Sequence, residues 1–183
     1  MKLSIALDID GAFSPITTMN SGFPDDEQRW GDWDYSVTSS RNFGACFAIP
    51  LVQSFKRLHE MGVKMLWHSS WRSGAQDYLA PELELPHWEQ LATEEEAQNF
   101  DDGWWKAVAV KRWLDESLPD EHLIWIDDDI ARNTDEGRVP NEVLESPQVT
   151  LISPDRVKGL GPAELDLIEE LANSGSKVVD PHS

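Results

Sequence analysis

Leu3-Ser4-Ile5-Ala6-Leu7-Asp8-Ile9-Asp10-Gly11 opens the chain with a short, mainly apolar run that breaks into two acids and a glycine. A strand buried on both faces of a sheet has this form, because neither face meets water and polar residues are displaced to its carboxyl end. Three later runs repeat it. Val63-Lys64-Met65-Leu66-Trp67 precedes Ser69 and Ser70, Leu123-Ile124-Trp125-Ile126 precedes Asp127-Asp128-Asp129, and Val149-Thr150-Leu151-Ile152 precedes Ser153-Pro154-Asp155. Helical patterns fall between them. Pro50 opens one, with Leu51, Phe55 and Leu58 at i, i+4 and i+7 and Gly62 as its stop. Ala107, Val110, Trp113 and Leu114 share a face of a second, from Trp105 to Leu114, and Leu165, Ile168 and Ala172 mark a third after Gly161-Pro162. Thr93-Glu94-Glu95-Glu96 has the form of a capping box. Strands and helices in alternation predict an α/β fold: a Rossmann-like three-layer sandwich with a mainly parallel sheet.

At 183 residues the chain has room for one domain of ordinary size. We place that domain at residues 1–173 and a frayed tail at residues 174–183. Residues 12–48, rich in Gly, Ser, Asp and aromatics and without periodicity, are long for a loop and short for a full cap domain, so they predict a small flap over the site. Pro140 to Pro147 reads as a surface connection. Fifteen Lys and Arg against 34 Asp and Glu give a net charge of −19, which excludes long-range attraction to a nucleic-acid backbone or an anionic membrane. Hydrophobic residues at 40% and nine tryptophans exclude a disordered acidic tail. Cys46 is the single cysteine, so neither a disulfide framework nor a cysteine zinc cage can form, and the cytoplasm is the expected location. No stretch approaches the ~18 apolar residues of a membrane span.

In an open α/β sheet ligands bind outside the carboxyl ends of the strands. Asp8 and Asp10 leave the end of a buried strand, where burial of both without a partner would cost several kcal/mol. A cation is the economical partner. Asp127 and Asp128, ending another strand, supply further hard oxygen ligands of the kind Mg²⁺ accepts.

Asp8-Ile9-Asp10-Gly11, Trp67-His68-Ser69-Ser70-Trp71, Lys106 and Trp125-Ile126-Asp127-Asp128 stand in the order of the four motifs of the haloacid-dehalogenase-like (HAD) superfamily. The chain resembles that superfamily, whose members are mostly Mg²⁺-dependent phosphohydrolases, from Met1 to about Leu171. Its detail is most similar to the HAD domain of some RNA-repair proteins and their stand-alone relatives, notably at Leu66 to Arg72, Leu83-Glu84-Leu85-Pro86, Trp105-Lys106 and Trp125 to Asp129. The resemblance implies that Asp8 is a nucleophile forming an aspartyl-phosphate and that Asp10 is the general acid and then the base. It implies Mg²⁺ on the Asp8 carboxylate and the Asp10 carbonyl, with Asp128 as the preferred further ligand and Asp127 ligating through water or orienting. Ser69 would bond a phosphoryl oxygen, with Ser70 as its competitor, and Lys106 would neutralise phosphoryl charge, with Lys111 as the other candidate. Ala12 stands where the superfamily usually has Thr or Val, which removes a hydroxyl contact.

Among the tryptophans, Trp67, Trp113 and Trp125 are expected in the core, Trp71 and Trp104 flank motif residues, and Trp30 and Trp33 lie in the flap. Trp71, Trp30 and Trp33 are candidate substrate contacts, as is Arg72, suited either to an acidic neighbour or to a second phosphate. The five histidines lack metal-ligand spacing. The expectation is a Mg²⁺-dependent phosphomonoester hydrolase acting on a small metabolite, a nucleotide or the end phosphate of a polynucleotide, with a monomer favoured and no membrane partner. The alternative is a non-enzymatic acidic module of the same fold that occupies a basic protein partner.

Overall fold

Every residue of the first strand after Lys2 is buried, as a strand with neighbours on both edges and helices on both faces must be. The computed structural model describes residues 1–16, 30–98 and 103–175. In chain order the strands are β1 (Lys2–Leu7), β2 (Val37–Ser39), β3 (Cys46–Ala48), β4 (Lys64–Trp67), β5 (Glu89–Gln90), β6 (Glu121–Ile126) and β7 (Val149–Ile152). The helices are α1 (Ile49–Glu60), α2 (Ala80–Glu82), α3 (Glu94–Gln98), α4 (Trp105–Glu116), α5 (Ile130–Asp135), α6 (Asn141–Leu144) and α7 (Pro162–Gly175). A widened π turn, Ala75–Leu79, runs into α2, and a 3₁₀ turn covers Gly31–Trp33.

Five strands form one sheet of order β5-β4-β1-β6-β7, and every pairing in it is parallel. Its period of two sorts side chains onto two faces. Leu3, Ile5, Leu7, Trp67, Ile124 and Ile126 meet Leu51, Phe55 and Leu58 of α1 and Ile168 of α7 on one side. Ala6, Leu66, Leu123 and Trp125 meet Ala107, Ala109 and Val110 of α4 on the other. The alanines keep α4 close to the sheet. Thr93 Oγ1 accepts from the Glu96 N–H at 3.1 Å and the Thr93 N–H donates to Glu96 Oε2 at 2.8 Å, so the capping box forms as the sequence predicts.

Three features depart from the sequence expectation. The described part of the flap contains an antiparallel hairpin, β2 with β3, whose strands are too short to show a period of two. Residues 17–29 of the flap region lie outside the described residues. The segment from Pro140 to Pro147 is not merely a surface connection: it holds α6, and Val143 is fully buried among the residues under α4. Helix α7 continues through Ser174 to Gly175, so the tail expected from residue 174 begins inside a helix, and residues 176–183 lie outside the described residues. No described helix is long and apolar enough to cross a membrane.

Phe55 of α1 is fully buried, with its ring centroid 5.4 Å from that of Phe13. Phe55→Ala is expected to destabilise the fold by about 3–5 kcal/mol, read from the denaturant midpoint. A loss below about 1 kcal/mol would mean that α1 does not seat on the sheet through this ring.

Candidate active site

Register sets the site. Leu7 pairs with Trp67 on one side and Ile126 on the other, so three strands end level and the next residues emerge together. Leu7 and Ile126 face α1, which turns Asp8 and Asp127 towards α4. Lys106, in the first turn of α4, meets both: its Nζ donates to Asp8 Oδ2 at 2.7 Å and to Asp127 Oδ2 at 2.6 Å. All three side chains are under a tenth exposed. The remaining carboxylate oxygens are held by backbone. Asp8 Oδ1 accepts from the Ile9 N–H at 2.8 Å, and Asp127 Oδ1 from the Asp129 N–H at 2.9 Å.

His68 supports the lysine from behind. Its Nε2–H donates to the Lys106 carbonyl at 3.0 Å, and its ring packs against Trp105 and Trp125. Burial pushes the imidazole down to about 3, with the charge of Lys106 adding to the effect, so His68 is neutral at physiological pH. It fixes the first turn of α4 without adding a cation.

The charges do not balance. Burial pushes Asp127 up to about 7, with the charge of Asp8 adding to the effect. Asp128 is pushed up to about 6, first by burial and then by Asp129 and Asp8. Burial also raises Asp8 against the pull of Lys106. Burial would lower Lys106, but Asp8 and Asp127 outweigh it and hold the lysine above its usual value. One buried ammonium, with a half-exposed guanidinium at Asp128, therefore answers three carboxylates, Asp8, Asp127 and Asp128, that each offer an oxygen within 4.8 Å of the others. An all-oxygen cluster with surplus negative charge fits Mg²⁺.

Gly11 explains how Asp128 fits. Its φ is +78°, and a Cβ there would lie 2.3 Å from Asp128 Cγ, so the third carboxylate occupies the space a side chain would take. Arg156 Nε stands 3.7 Å from Asp128 Oδ2.

Ser69 is buried, and its side chain is among the groups that stabilise the charged form of Asp8. Ser69 Oγ also accepts from the Trp71 N–H at 3.3 Å. Asp10 Oδ2 accepts from Trp71 Nε1 at 2.8 Å. The competitors lie elsewhere. Ser70 is exposed, and Lys111 reaches Asp115 at 2.6 Å on the outer side of α4. Trp30 and Trp33 are buried among the core residues on the α1 side, not presented to a substrate, because their apolar rings complete that core. Trp104 stacks on Trp125 with centroids 4.9 Å apart. Arg72 takes a left-handed φ of +51° and donates to the Ala97 carbonyl. It helps line a cavity of about 200 Å³ with Ser69, Gln90, Thr93 and Trp105, so open space adjoins the serine.

Residues 4–164 match the HAD domain in Swiss Army Knife RNA repair proteins. The chain belongs to this HAD family. No curated protein and no solved structure matches it. For a HAD domain, the match supports chemistry of the phosphohydrolase type, and the buried acidic cluster is compatible with the Mg²⁺ that such domains typically use. Three parts of this HAD site were not singled out by sequence reasoning. The sequence places His68 on the opposite side of its strand from Ser69 and gives it no metal-ligand spacing, but carries no sign that it braces Lys106. Arg156 had no signal, since its approach to Asp128 depends on the loop after β7. The bond from Trp71 to Asp10 joins residues 61 apart.

An acid whose native pKa is raised binds its proton more tightly when folded, so its contribution is present below the unfolded value and is lost as pH rises through the native value. For Asp127 and Asp128 that loss runs from about pH 4 to about pH 7 in the metal-free protein. Mg²⁺ competes with those protons. Saturating Mg²⁺ is expected to raise Tm at pH 8 by about 5–10 °C and at pH 5 by much less. Equal shifts at the two pH values, measured against chelator, would remove the cation from this site.

Proposed function

We propose that the chain is a Mg²⁺-dependent phosphomonoester hydrolase that works through an aspartyl-phosphate on Asp8. The observation that carries this reading is the buried Lys106 ammonium bridging Asp8 and Asp127 beside the third carboxylate, Asp128. Lys106 favours the ionised form of Asp8, as a nucleophile requires, and offers positive charge where a phosphoryl group would dock. Ser69 would donate to a phosphoryl oxygen at the same strand-end level. Asp8, Asp128 and the Asp10 carbonyl would hold Mg²⁺, with Asp127 oriented by Lys106 and the Asp129 N–H, and the ion would neutralise charge on the phosphoryl oxygens.

In the first step a bond forms from an Asp8 oxygen to phosphorus, the bond from phosphorus to the ester oxygen breaks, and Asp10 gives its proton to that oxygen. In the second, Asp10 takes a proton from water as the water oxygen attacks phosphorus. Asp8 leaves as carboxylate, inorganic phosphate departs and Asp10 is protonated again.

The family's setting in RNA repair proteins favours the end phosphate of a polynucleotide as substrate. The charge of −19 favours gripping that phosphate locally over binding a long backbone.

Phosphate release from an aryl phosphate with Mg²⁺ tests the chemistry. Asp8→Asn should reduce turnover to background, and Lys106→Met should reduce it by about 10²–10³-fold. Turnover that survives both chelator and Asp8→Asn would sink the reading. Oligoribonucleotides with a 3′ or 5′ phosphate, compared with free nucleoside monophosphates, test the substrate: an end phosphate should be removed at the higher kcat/KM.

A further inference from the structure

The half-buried Trp71 indole is held from two sides. Its Nε1–H donates to Asp10 Oδ2 at 2.8 Å, and its ring lies against Phe43 with centroids 4.9 Å apart and planes tilted by 57°. Phe43 sits in the turn of the β2–β3 hairpin, in the flap. That turn is fastened to the body of the domain. The Arg41 N–H donates to Glu82 Oε2 at 2.9 Å and Asn42 Nδ2 donates to Glu82 Oε1, while within the turn the Phe43 N–H donates to Ser40 Oγ at 3.1 Å. At its base the indole is tied to the phosphoryl-site serine, since the Trp71 backbone N–H donates to Ser69 Oγ.

Other indoles show that this bond is not simply a donor finding the nearest acceptor. The Nε1 atoms of Trp88 and Trp125 are buried without a hydrogen-bond partner among the described residues, and Trp67 Nε1 reaches the neutral amide of Gln76 at 3.3 Å. Trp71 instead directs its N–H at a carboxylate of the site. An Asp side chain has two soft torsions, and a reacting group misplaced by about 1 Å costs roughly 10²-fold in rate.

We propose that Trp71 is a positioning residue for Asp10, with its indole fixing the carboxylate at the leaving-group side of the phosphoryl site and Phe43 of the flap bracing the indole. This rests on the phosphatase reading, in which Asp10 transfers its proton to the departing ester oxygen. In this role the Trp71 side chain, as distinct from its backbone N–H on Ser69, acts through Asp10.

Leaving-group dependence separates this role from a substrate contact. A nitrophenolate departs with little help from a proton, whereas an alkoxide requires one, and kcat/KM reports events up to phosphoryl transfer to Asp8. Trp71→Phe keeps an aromatic ring at the position beside Phe43 and removes the N–H donor. It should lower kcat/KM for glycerol phosphate by about 10–100-fold and for nitrophenyl phosphate by less than about 3-fold. Equal losses on the two esters would mean that the indole contacts substrate or merely supports the fold, and would overturn the proposal. Phe43→Leu, at an exposed position, should give the same split at about 3–10-fold, so the test survives if Trp71→Phe does not fold.

The indole N–H resonance of Trp71, assigned by its loss in Trp71→Phe or, if that variant does not fold, by sequential assignment of the wild-type protein, provides a readout independent of turnover. It should shift in Asp10→Asn and in Phe43→Leu, and a resonance that ignores both overturns the proposal. If the wild-type protein turns over neither ester, the phosphatase reading falls. The resonance alone then decides whether Trp71 holds Asp10.

Discussion

A single buried ammonium holds the centre of this molecule together. Lys106 joins the ends of β1 and β6 through Asp8 and Asp127, at a depth where either carboxylate alone would be costly to desolvate. The surrounding structure serves that contact: small residues bring α4 close to the sheet, and a neutral imidazole fixes the turn that carries the lysine. Three carboxylates around one lysine still leave an excess of negative charge. That excess favours a cation at this point, while burial is the first cause of the raised pKa values of all three acids.

The second acid of the first strand end lives in a different environment. Asp10 is drawn away from the lysine and held by Trp71, an aromatic residue that also meets the flap. Two acids two residues apart are thereby given different partners, a cation for one and a neutral N–H donor for the other.

Much of this could be read from residues alone. Apolar runs ending in polar residues identified the four main strands, because burial on both faces removes polar residues from a strand and concentrates them at its end. The same logic pointed to Asp8, Asp10, Ser69, Asp127 and Asp128 among the strand-end residues, and the family resemblance added Lys106 from a helix; the fold brings Asp8, Lys106, Asp127 and Asp128 together at the carboxyl ends of the strands. Strands of two or three residues, such as β5 and β2, are too short to show a period. Val143 looked like part of a connection, since one valine in a polar segment carries no sign of what it will cover. The choice of Ser69 over Ser70, and of Lys106 over Lys111, depended on which side of a strand or helix faced inward. Trp30 and Trp33 show the opposite limit: an aromatic in an irregular segment looks available to a ligand until the core that needs it is seen.

Asp8 and its lysine stand 98 residues apart, so the aspartate is made well before its partner. β1 also waits for both of its edges, β4 and β6, the second beginning at Glu121. Until then the strand has no complete sheet to enter and its aspartate stays hydrated. Assembly at the centre is therefore delayed during synthesis, and contacts this distant in sequence slow folding and expose intermediates. β1 must remain hydrated and uncommitted until β6 has been made, a task suited to a short strand that ends in charge.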